Sequence, residues 1–229
     1  MSLWYRFIRD LAYWVARIVW GLRVEGRENI PPDGAAVVAC NHRSLLDPPV
    51  VGCTLPRETG FVAKRELFEV PIVSALVRSL NSIPIDRSRL SRDKMDELAE
   101  WLDTGKLLVM FSEGTRSKTG KLGRPKAGIG VLLASRPVPV IPAWVEGTDS
   151  PFRNLFRRGR MRIVYGVPHA IPEEAEPSEP RARARAITEV VMDHIRALQE
   201  EIASSGEAGS RPAVATRDEA AGSVNSREG

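Results

Sequence analysis

The chain lacks most features that mark secreted, metal-binding or membrane-spanning proteins. Only two of its 229 residues are cysteine, Cys40 and Cys53, and their spacing fits no zinc or haem motif. We expect two reduced, buried thiols, and nothing demands an oxidising compartment. No run reaches the roughly 18 uninterrupted apolar residues of a spanning helix. Asp10 and Arg17 interrupt the N-terminal apolar run, and no small-residue cleavage site follows, which argues against a cleaved signal peptide.

Other absences narrow the possible functions. No Gly-x-Ser-x-Gly sequence occurs, so a lipid esterase with a serine nucleophile is disfavoured. The net charge of +4 and the pI near 9.3 suit an acidic partner, such as anionic lipid, a phosphorylated metabolite or nucleic acid. Nucleic acid is disfavoured because no recognition fold accompanies the charge. Apolar residues at 43% and charged residues at 27% predict a folded globular domain.

Aromatic residues are scarce, at 6% of the chain, yet three of the five tryptophans lie within the first 20 residues. Apolar residues recur there at helical spacing, which predicts an amphipathic helix over residues 3–21. Aromatic rings favour the lipid headgroup zone, and the accompanying arginines favour anionic lipid. We therefore assign residues 1–26 to a membrane-interfacial helical segment. The alternative is a helix that simply packs on the domain that follows.

From Gly34 onward, short β-branched runs alternate with helical ones. This order predicts an α/β fold, with a mixed, partly parallel sheet flanked by helices and preceded by the amphipathic N-terminal helix. The domain spans residues 27–204, and residues 205–229 have the composition of a disordered tail. The predicted strands are Ala35–Ala39, Gly60–Ala63, Ile83–Ile85, Leu107–Phe111, Val138–Val145 and Met161–Tyr165, and the predicted helices are Arg92–Leu102, Ile129–Ser135 and Pro180–Ser204.

A histidine and an aspartate follow the first of these strands, in the sequence Asn41-His42-Arg43-Ser44-Leu45-Leu46-Asp47. Open α/β sheets place ligand sites at strand ends. A continuous helix would put His42 and Asp47 far apart in azimuth, so they pair only if the segment bends. Paired, they would supply a general base and the carboxylate that orients it. The alternative is that Asp47, held extended by Pro48 and Pro49, caps a helix and that His42 is a solvated turn residue.

A second group of polar residues, Ser112-Glu113-Gly114-Thr115-Arg116, follows the strand Leu107–Phe111. Gly114 permits close approach of the backbone, and Arg116 can hold a phosphate through two hydrogen bonds. Residues 116–126 carry five positive charges and no acid, so a solvated basic loop is the alternative. Two further blocks are Ile83–Arg87, a strand that ends in arginine, and Val138–Pro142. The two prolines of the last block predict an edge or bulged strand.

In this order, the four blocks resemble the glycerolipid acyltransferase family, typified by the bacterial 1-acyl-glycerol-3-phosphate acyltransferases. Two residues depart from the family pattern: Ser112 replaces the usual proline, and Pro125 stands where an aromatic residue often occurs. The resemblance implies that His42 is the general base on the acceptor hydroxyl and that Asp47 orients it. It also implies a set of substrate-binding residues: Lys64, Arg87 and Arg116 for the phosphate, and Glu113, Gly114 and Thr115 lining the acceptor pocket.

The reaction that the resemblance implies is acyl transfer from acyl-CoA or acyl carrier protein to the sn-2 hydroxyl of lysophosphatidic acid. It would need no cofactor and no metal, and would occur at the cytoplasmic face of the membrane. The alternatives are another lysophospholipid or lipid alcohol as acceptor, and a non-catalytic lipid-binding protein of the same fold. A further basic cluster suits anionic membrane, an acidic carrier protein or plain solvation; it comprises Arg153, Arg157, Arg158, Arg160 and Arg162.

Overall fold

The computed structural model describes residues 2–85, 91–114, 116, 122–155, 161–171 and 179–208. Within them, seven strands form one sheet in the order β1-β7-β6-β2-β5-β3-β4, and the expected fold class is confirmed. The strands are β1 Arg23–Glu25, β2 Ala36–Cys40, β3 Thr59–Lys64, β4 Ser82–Ile85, β5 Leu107–Phe111, β6 Val140–Glu146 and β7 Arg162–Tyr165. The helices are α1 Leu3–Trp20, α2 Asp47–Thr54, α3 Pro71–Ser79, α4 Arg92–Asp103, α5 Gly128–Ser135 and α6 Pro180–Ala208.

The sheet is buried on both faces because its central strands are apolar throughout. Successive side chains of a strand point to opposite faces. Accordingly, Val37 and Ala39 of β2 pack with α4, α5 and α6. Val38 and Cys40, the alternate residues, pack with α1 and α2 on the other face. Strands β2, β3, β4, β5 and β6 run parallel, so their carboxyl ends meet at one edge of the sheet.

Helix α1 packs on the domain through one side only. It begins at Ser2, whose Oγ accepts the N–H of Tyr5 at 3.1 Å, and it ends at Gly21 in the left-handed conformation. Tyr5 and Ala16 are buried, whereas a stripe of large apolar residues faces outward. Among the described residues, no helix has the length and apolarity needed to cross a membrane. The outward stripe comprises Leu3, Trp4, Phe7, Leu11, Trp14, Val15 and Ile18.

The sequence predicted that the proline-containing strand lies at an edge or is bulged; the edge position is wrong, and the bulge is confirmed. Ala143 pairs with Tyr165 but Val140 pairs with His169, so the partner segment carries one extra residue opposite Pro142. Strand β6 lies inside the sheet, parallel to β2 and antiparallel to β7. Pro139 precedes the strand, so its missing N–H breaks no ladder bond. Pro142 lies just where pairing with β7 ends, since that pairing runs from Ala143 to Glu146. A proline is tolerated there because no partner strand requires its N–H.

Helix α6 lies closely against α5. A Cβ added at Gly130 would come within 1.8 Å of the carbonyl oxygen of Ala184, so only glycine permits this approach. The helix continues to Ala208, beyond residue 204 where the domain was predicted to end. Most of the predicted tail, residues 209–229, lies outside the described residues.

Candidate active site

His42 and Asp47 come together at the carboxyl end of β2. The chain bends between them, so Nδ1 of His42 lies 2.8 Å from Oδ2 of Asp47. Asp47 is not extended as expected, because it forms the first residue of α2, with Pro48 and Pro49 behind it in the first turn. Prolines fit that turn since its backbone N–H groups have no partner within the helix. Both side chains are buried, at 4% and 0% exposure, which excludes a solvated turn histidine.

The Asp47 carboxylate is held by four donors. Its Oδ2 accepts the ring N–H of His42 and the backbone N–H groups of Arg43 and Ser44, at 2.8, 2.6 and 2.7 Å. Its Oδ1 accepts the hydroxyl of Thr148, just beyond β6, at 2.5 Å. These donors lie in the preceding loop and in a distant strand end, so Asp47 does not act as the predicted helix cap. A carboxylate only accepts, so Nδ1 carries the proton and Nε2 is the nitrogen able to take another.

Asn41 and Phe111 fix the position of His42. The Asn41 side chain donates to the carbonyl of Val145 at 3.0 Å and accepts its N–H at 2.7 Å, which ties the end of β2 to β6. The ring of Phe111 stacks on the imidazole, with centroids 4.3 Å apart and planes 27° apart. His42 is therefore held at three places: its backbone follows the anchored Asn41, its ring stacks on Phe111, and its Nδ1 contacts Asp47.

Glu113 connects His42 to the loop after β5. Its Oε1 accepts the backbone N–H of His42 at 3.1 Å, and its Oε2 accepts that of Gly123 at 2.9 Å. Burial raises the pKa of this carboxyl, while the two backbone hydrogen bonds oppose the rise. Both oxygens of Glu113 accept from the backbone, and its predicted place in the lining of the acceptor pocket stays a prediction.

Gly114 meets two conditions that only glycine satisfies. Its φ is +63°, and an added Cβ would lie 2.6 Å from Cγ of Lys126. Its N–H donates to the carbonyl of Phe111 at 2.9 Å. Because this bond occupies it, the Gly114 N–H is not available to stabilise an oxyanion.

Comparisons with known proteins agree with this geometry. The family model described as "Acyltransferase" matches residues 21–146, more than half of the chain. A 1-acyl-sn-glycerol-3-phosphate acyltransferase of Pseudomonas aeruginosa is 31% identical over 219 residues, covering 87% of this chain and 79% of the relative. The chain belongs to the acyltransferase family.

Two further relatives extend over most of this acyltransferase. The 1-acyl-sn-glycerol-3-phosphate acyltransferase of Bacillus subtilis is 26% identical over 86% of this chain and 98% of its own length. The crystal structure of the 1-acyl-sn-glycerophosphate (LPA) acyltransferase PlsC from Thermotoga maritima matches with a TM-score of 0.63 and 30% identity, covering 86% of this chain and 78% of that one. The chain spans about half, 43% to 57%, of several curated plant and yeast relatives. The resemblance drawn from the four sequence blocks and the expected enzyme class are thus confirmed.

Of the three predicted phosphate-binding residues, the structure describes Lys64 and Arg116. Lys64 lies at the end of β3, and its Nζ contacts Oε1 of Glu66 at 2.5 Å. Arg116 is exposed and lies beside the loop that carries His42 and Asp47. Arg87 and Thr115 lie outside the described residues, so their predicted roles stay predictions.

A partly open cavity of about 440 Å³ adjoins this edge of the sheet, and we call it the internal cavity because it lies between the sheet and helices α4 and α5. Its lining is mostly apolar and includes Phe111, the residue that stacks on His42, together with Met95, Leu98 and Val131. Ser112, which replaces the family proline, also lines it. The Ser112 hydroxyl is buried and has no hydrogen-bond partner among the described residues. The size and the mostly apolar lining of the cavity are those of a site for an apolar ligand next to the His42–Asp47 pair.

Sequence reasoning missed Thr148, and it gave Asn41 no role. Thr148 lies 101 residues from Asp47 and belongs to none of the four blocks. One signal could have found it: like His42 and Glu113, it follows the carboxyl end of a buried strand.

Proposed function

We propose that this acyltransferase moves an acyl group from acyl-CoA or acyl carrier protein to the sn-2 hydroxyl of 1-acyl-glycerol-3-phosphate, giving phosphatidic acid. The observation that carries the proposal is the buried His42–Asp47 pair, next to an exposed arginine, in a chain of the acyltransferase family. The acceptor is the one named for the bacterial relatives. Arg116 supports it, because a guanidinium suits a phosphate monoester.

The reaction follows from the roles of the two ring nitrogens. Nε2 of His42 takes the proton of the acceptor hydroxyl as that oxygen attacks the thioester carbonyl. The tetrahedral intermediate then expels the thiolate as the C–S bond breaks, and the proton on Nε2 passes to the departing sulfur. Asp47 keeps the proton on Nδ1 and stabilises the transient imidazolium.

This route needs no metal, cofactor or covalent intermediate, because a thioester carbonyl is already activated. Cys40 adjoins the site but does not suit the part of acyl carrier. It is fully buried, and burial raises the pKa of its thiol well above the usual range. The thiolate, which is the nucleophilic form, is therefore disfavoured.

The outward stripe of α1 supports a position on the membrane surface. Seven large apolar side chains, three of which are aromatic, are exposed along one side of this helix. Such a surface is costly in water and binds the boundary between headgroups and acyl chains. Attachment through α1 to the cytoplasmic face would bring the site to its lipid acceptor, while the thioester donor arrives from water.

The test is a product assay with the purified full-length chain in detergent. Labelled acyl-CoA and acyl carrier protein are each offered with lysophosphatidic acid, other lysophospholipids and monoacylglycerol. We expect labelled phosphatidic acid from the first acceptor, at a higher kcat/KM than any other product. Faster acylation of a different acceptor would replace the proposed substrate, and transfer to no acceptor would favour a lipid-binding protein without activity.

A further inference from the structure

A second apolar cavity, which we call the surface groove, lies on the opposite side of the sheet edge. It has a volume of about 430 Å³ and borders the end of α1. Trp20, the last residue of this helix, packs on the sheet face that α1 and α2 cover. Phe152 at 89% and Leu45 at 68% exposure stand on its rim, so a large apolar area faces outward. The groove is lined by Trp20, Leu45, Leu46, Pro151, Phe152 and Leu155, with Ser44 and Arg116 as its polar members.

The outer wall of the groove is an ordered turn. The N–H of Asn154 donates to the carbonyl of Ser150 at 3.0 Å, and its side-chain amide donates to that of Gly147 at 2.9 Å. The indole N–H of Trp20 donates to the carbonyl of Pro151 at 3.0 Å. These bonds fix the wall against α1, so the groove is part of the folded structure.

The floor of the groove is the loop that positions the catalytic carboxylate. Ser44 lines the groove, and its backbone N–H donates to Oδ2 of Asp47 at 2.7 Å. On the other side, Arg116 lies three residues after Glu113, which accepts the backbone N–H of His42. A molecule in the groove would therefore extend from the surface to the immediate neighbourhood of His42.

The two cavities differ in a way that matches the two substrates of the proposed reaction. The internal cavity lies under α4 and α5 and has one cationic lining residue among those described, Lys126, but no arginine. The rest of its lining is mostly apolar, so it suits an alkyl chain delivered by a water-soluble thioester. The surface groove combines an exposed arginine with an apolar trough that continues to α1. An anion next to a single alkyl chain is the chemistry of a lysophospholipid.

We propose that the surface groove binds the acyl chain already present on the acceptor, with Arg116 at its phosphate end. The internal cavity then receives the chain being transferred. This inference rests on the proposed function and adds a separate subsite for each chain. It assigns acceptor-chain selectivity to Phe152 and Leu155, and donor-chain selectivity to residues of the internal cavity such as Val131.

The test uses two matched substitutions, Leu155→Trp in the groove and Val131→Trp in the internal cavity. The two residues are exposed to nearly the same extent, 40% and 41%, so the two substitutions are matched in burial. Monodisperse acceptors with butanoyl and octanoyl chains avoid any effect of bilayer partition. For each variant, the ratio of kcat/KM for octanoyl over butanoyl acceptor is measured with one donor. The corresponding ratio for long over short acyl-CoA is then measured with one acceptor.

We expect Leu155→Trp to lower the acceptor ratio about tenfold, the factor carried by one methylene in an apolar pocket, and to leave the donor ratio within about twofold. Val131→Trp should do the opposite. If Leu155→Trp left the acceptor ratio unchanged or altered the donor ratio instead, the assignment would be overturned. If Leu155→Trp fails to fold, Phe152→Ala replaces it, since Phe152 is the most exposed residue on the rim of the groove. We again expect a lower acceptor ratio, and an unaltered ratio would count against the groove. Failure of the wild-type chain to acylate any lysophosphatidic acid would instead refute the proposed function.

Discussion

At the scale of single residues, the site depends on how completely the Asp47 carboxylate is satisfied. A buried carboxylate without donors would be strongly disfavoured, and here four donors offset the loss of water. Two of them are backbone groups of the bend that brings His42 and Asp47 together. The carboxylate therefore both shapes the loop and orients the His42 ring.

Replacing Asp47 with asparagine separates these two effects. One oxygen of Asp47 accepts from Arg43, Ser44 and the His42 ring, so the amide oxygen of Asp47→Asn can keep all three hydrogen bonds. The neutral amide lacks the negative charge that would stabilise the imidazolium. We expect a loss in kcat of about 10²- to 10⁴-fold with a near-normal thermal melt. Thr148→Val is the matched control, since it removes one hydrogen bond to the same carboxylate and should cost about tenfold or less. If Asp47→Asn lowered the melting temperature but kept normal turnover per folded molecule, the role of the carboxylate would be purely structural.

Arg116 is predicted to recognise the acceptor phosphate. Arg116→Ala should lower kcat/KM for lysophosphatidic acid about 10- to 100-fold, because a charged hydrogen-bonded contact is lost. It should affect a monoacylglycerol, which lacks phosphate, by less than about threefold. Arg116→Lys should restore only part of the activity, since lysine lacks the two-pronged geometry. Arg153→Ala, another exposed arginine, is the control. Equal losses on both acceptors would assign Arg116 to the fold.

At the scale of elements, the sequence predicts regular segments well and irregular ones poorly. Strand β5 was placed at its observed bounds because an unbroken apolar run lies between clear breaks. Strand β1, only three residues long, was missed for lack of a pattern. Helix α2 was missed because Pro48 and Pro49 favour extended chain in a peptide, whereas here they occupy a helical first turn. The bend that pairs His42 with Asp47 depends on donors as distant as Thr148, which no local pattern reveals.

We predict that the outward stripe of α1 contacts the membrane. We expect the triple substitution Phe7→Ser, Trp14→Ser and Ile18→Ser to reduce flotation with anionic liposomes at least tenfold, through loss of buried apolar area. The thermal melt should remain unchanged, because these side chains are exposed while Tyr5 and Ala16 hold the helix to the domain. Deletion of residues 1–20 is a weaker test, since it also removes those buried contacts. Val167→Ser, an exposed apolar residue elsewhere, is the control, and undiminished flotation of the triple variant would remove α1 from the membrane contact.

The junction between α6 and the segment after β7 predicts a pH effect on stability. The rings of His169 and His194 stack with centroids 3.8 Å apart. Burial lowers the pKa of His194, the nearby His169 adds to the effect, and Asp193 opposes it. The unfolded chain then binds this proton more tightly, so stability falls as the pH drops below the unfolded pKa of about 6.5. The free energy of unfolding is measured with urea at about pH 7.5 and about pH 5.5. We expect it to fall less between these two pH values in His194→Asn than in wild type. An equal fall in both proteins would remove His194 as the cause.

At the scale of the whole molecule, the parallel sheet is what assembles the site. The strands β2, β5 and β6 are neighbours or near neighbours, and the residues just beyond them supply His42, Glu113 and Thr148. Helices on the two faces then leave one cavity beside α4 and α5 and another beside the end of α1, on either side of that edge. In the proposed reaction, this arrangement brings a water-soluble donor and a lipid acceptor together at His42.

The most direct measurement of the central claim follows the label into the product. Purified wild-type and His42→Ala proteins receive labelled acyl thioester and lysophosphatidic acid, and the phosphatidic acid formed is cleaved selectively at sn-2. We predict that wild type places the label at sn-2 and that His42→Ala, with a normal melt, loses at least about 10²-fold of this activity. A folded His42→Ala protein that kept more than about a tenth of wild-type turnover would contradict the role of His42 as the general base.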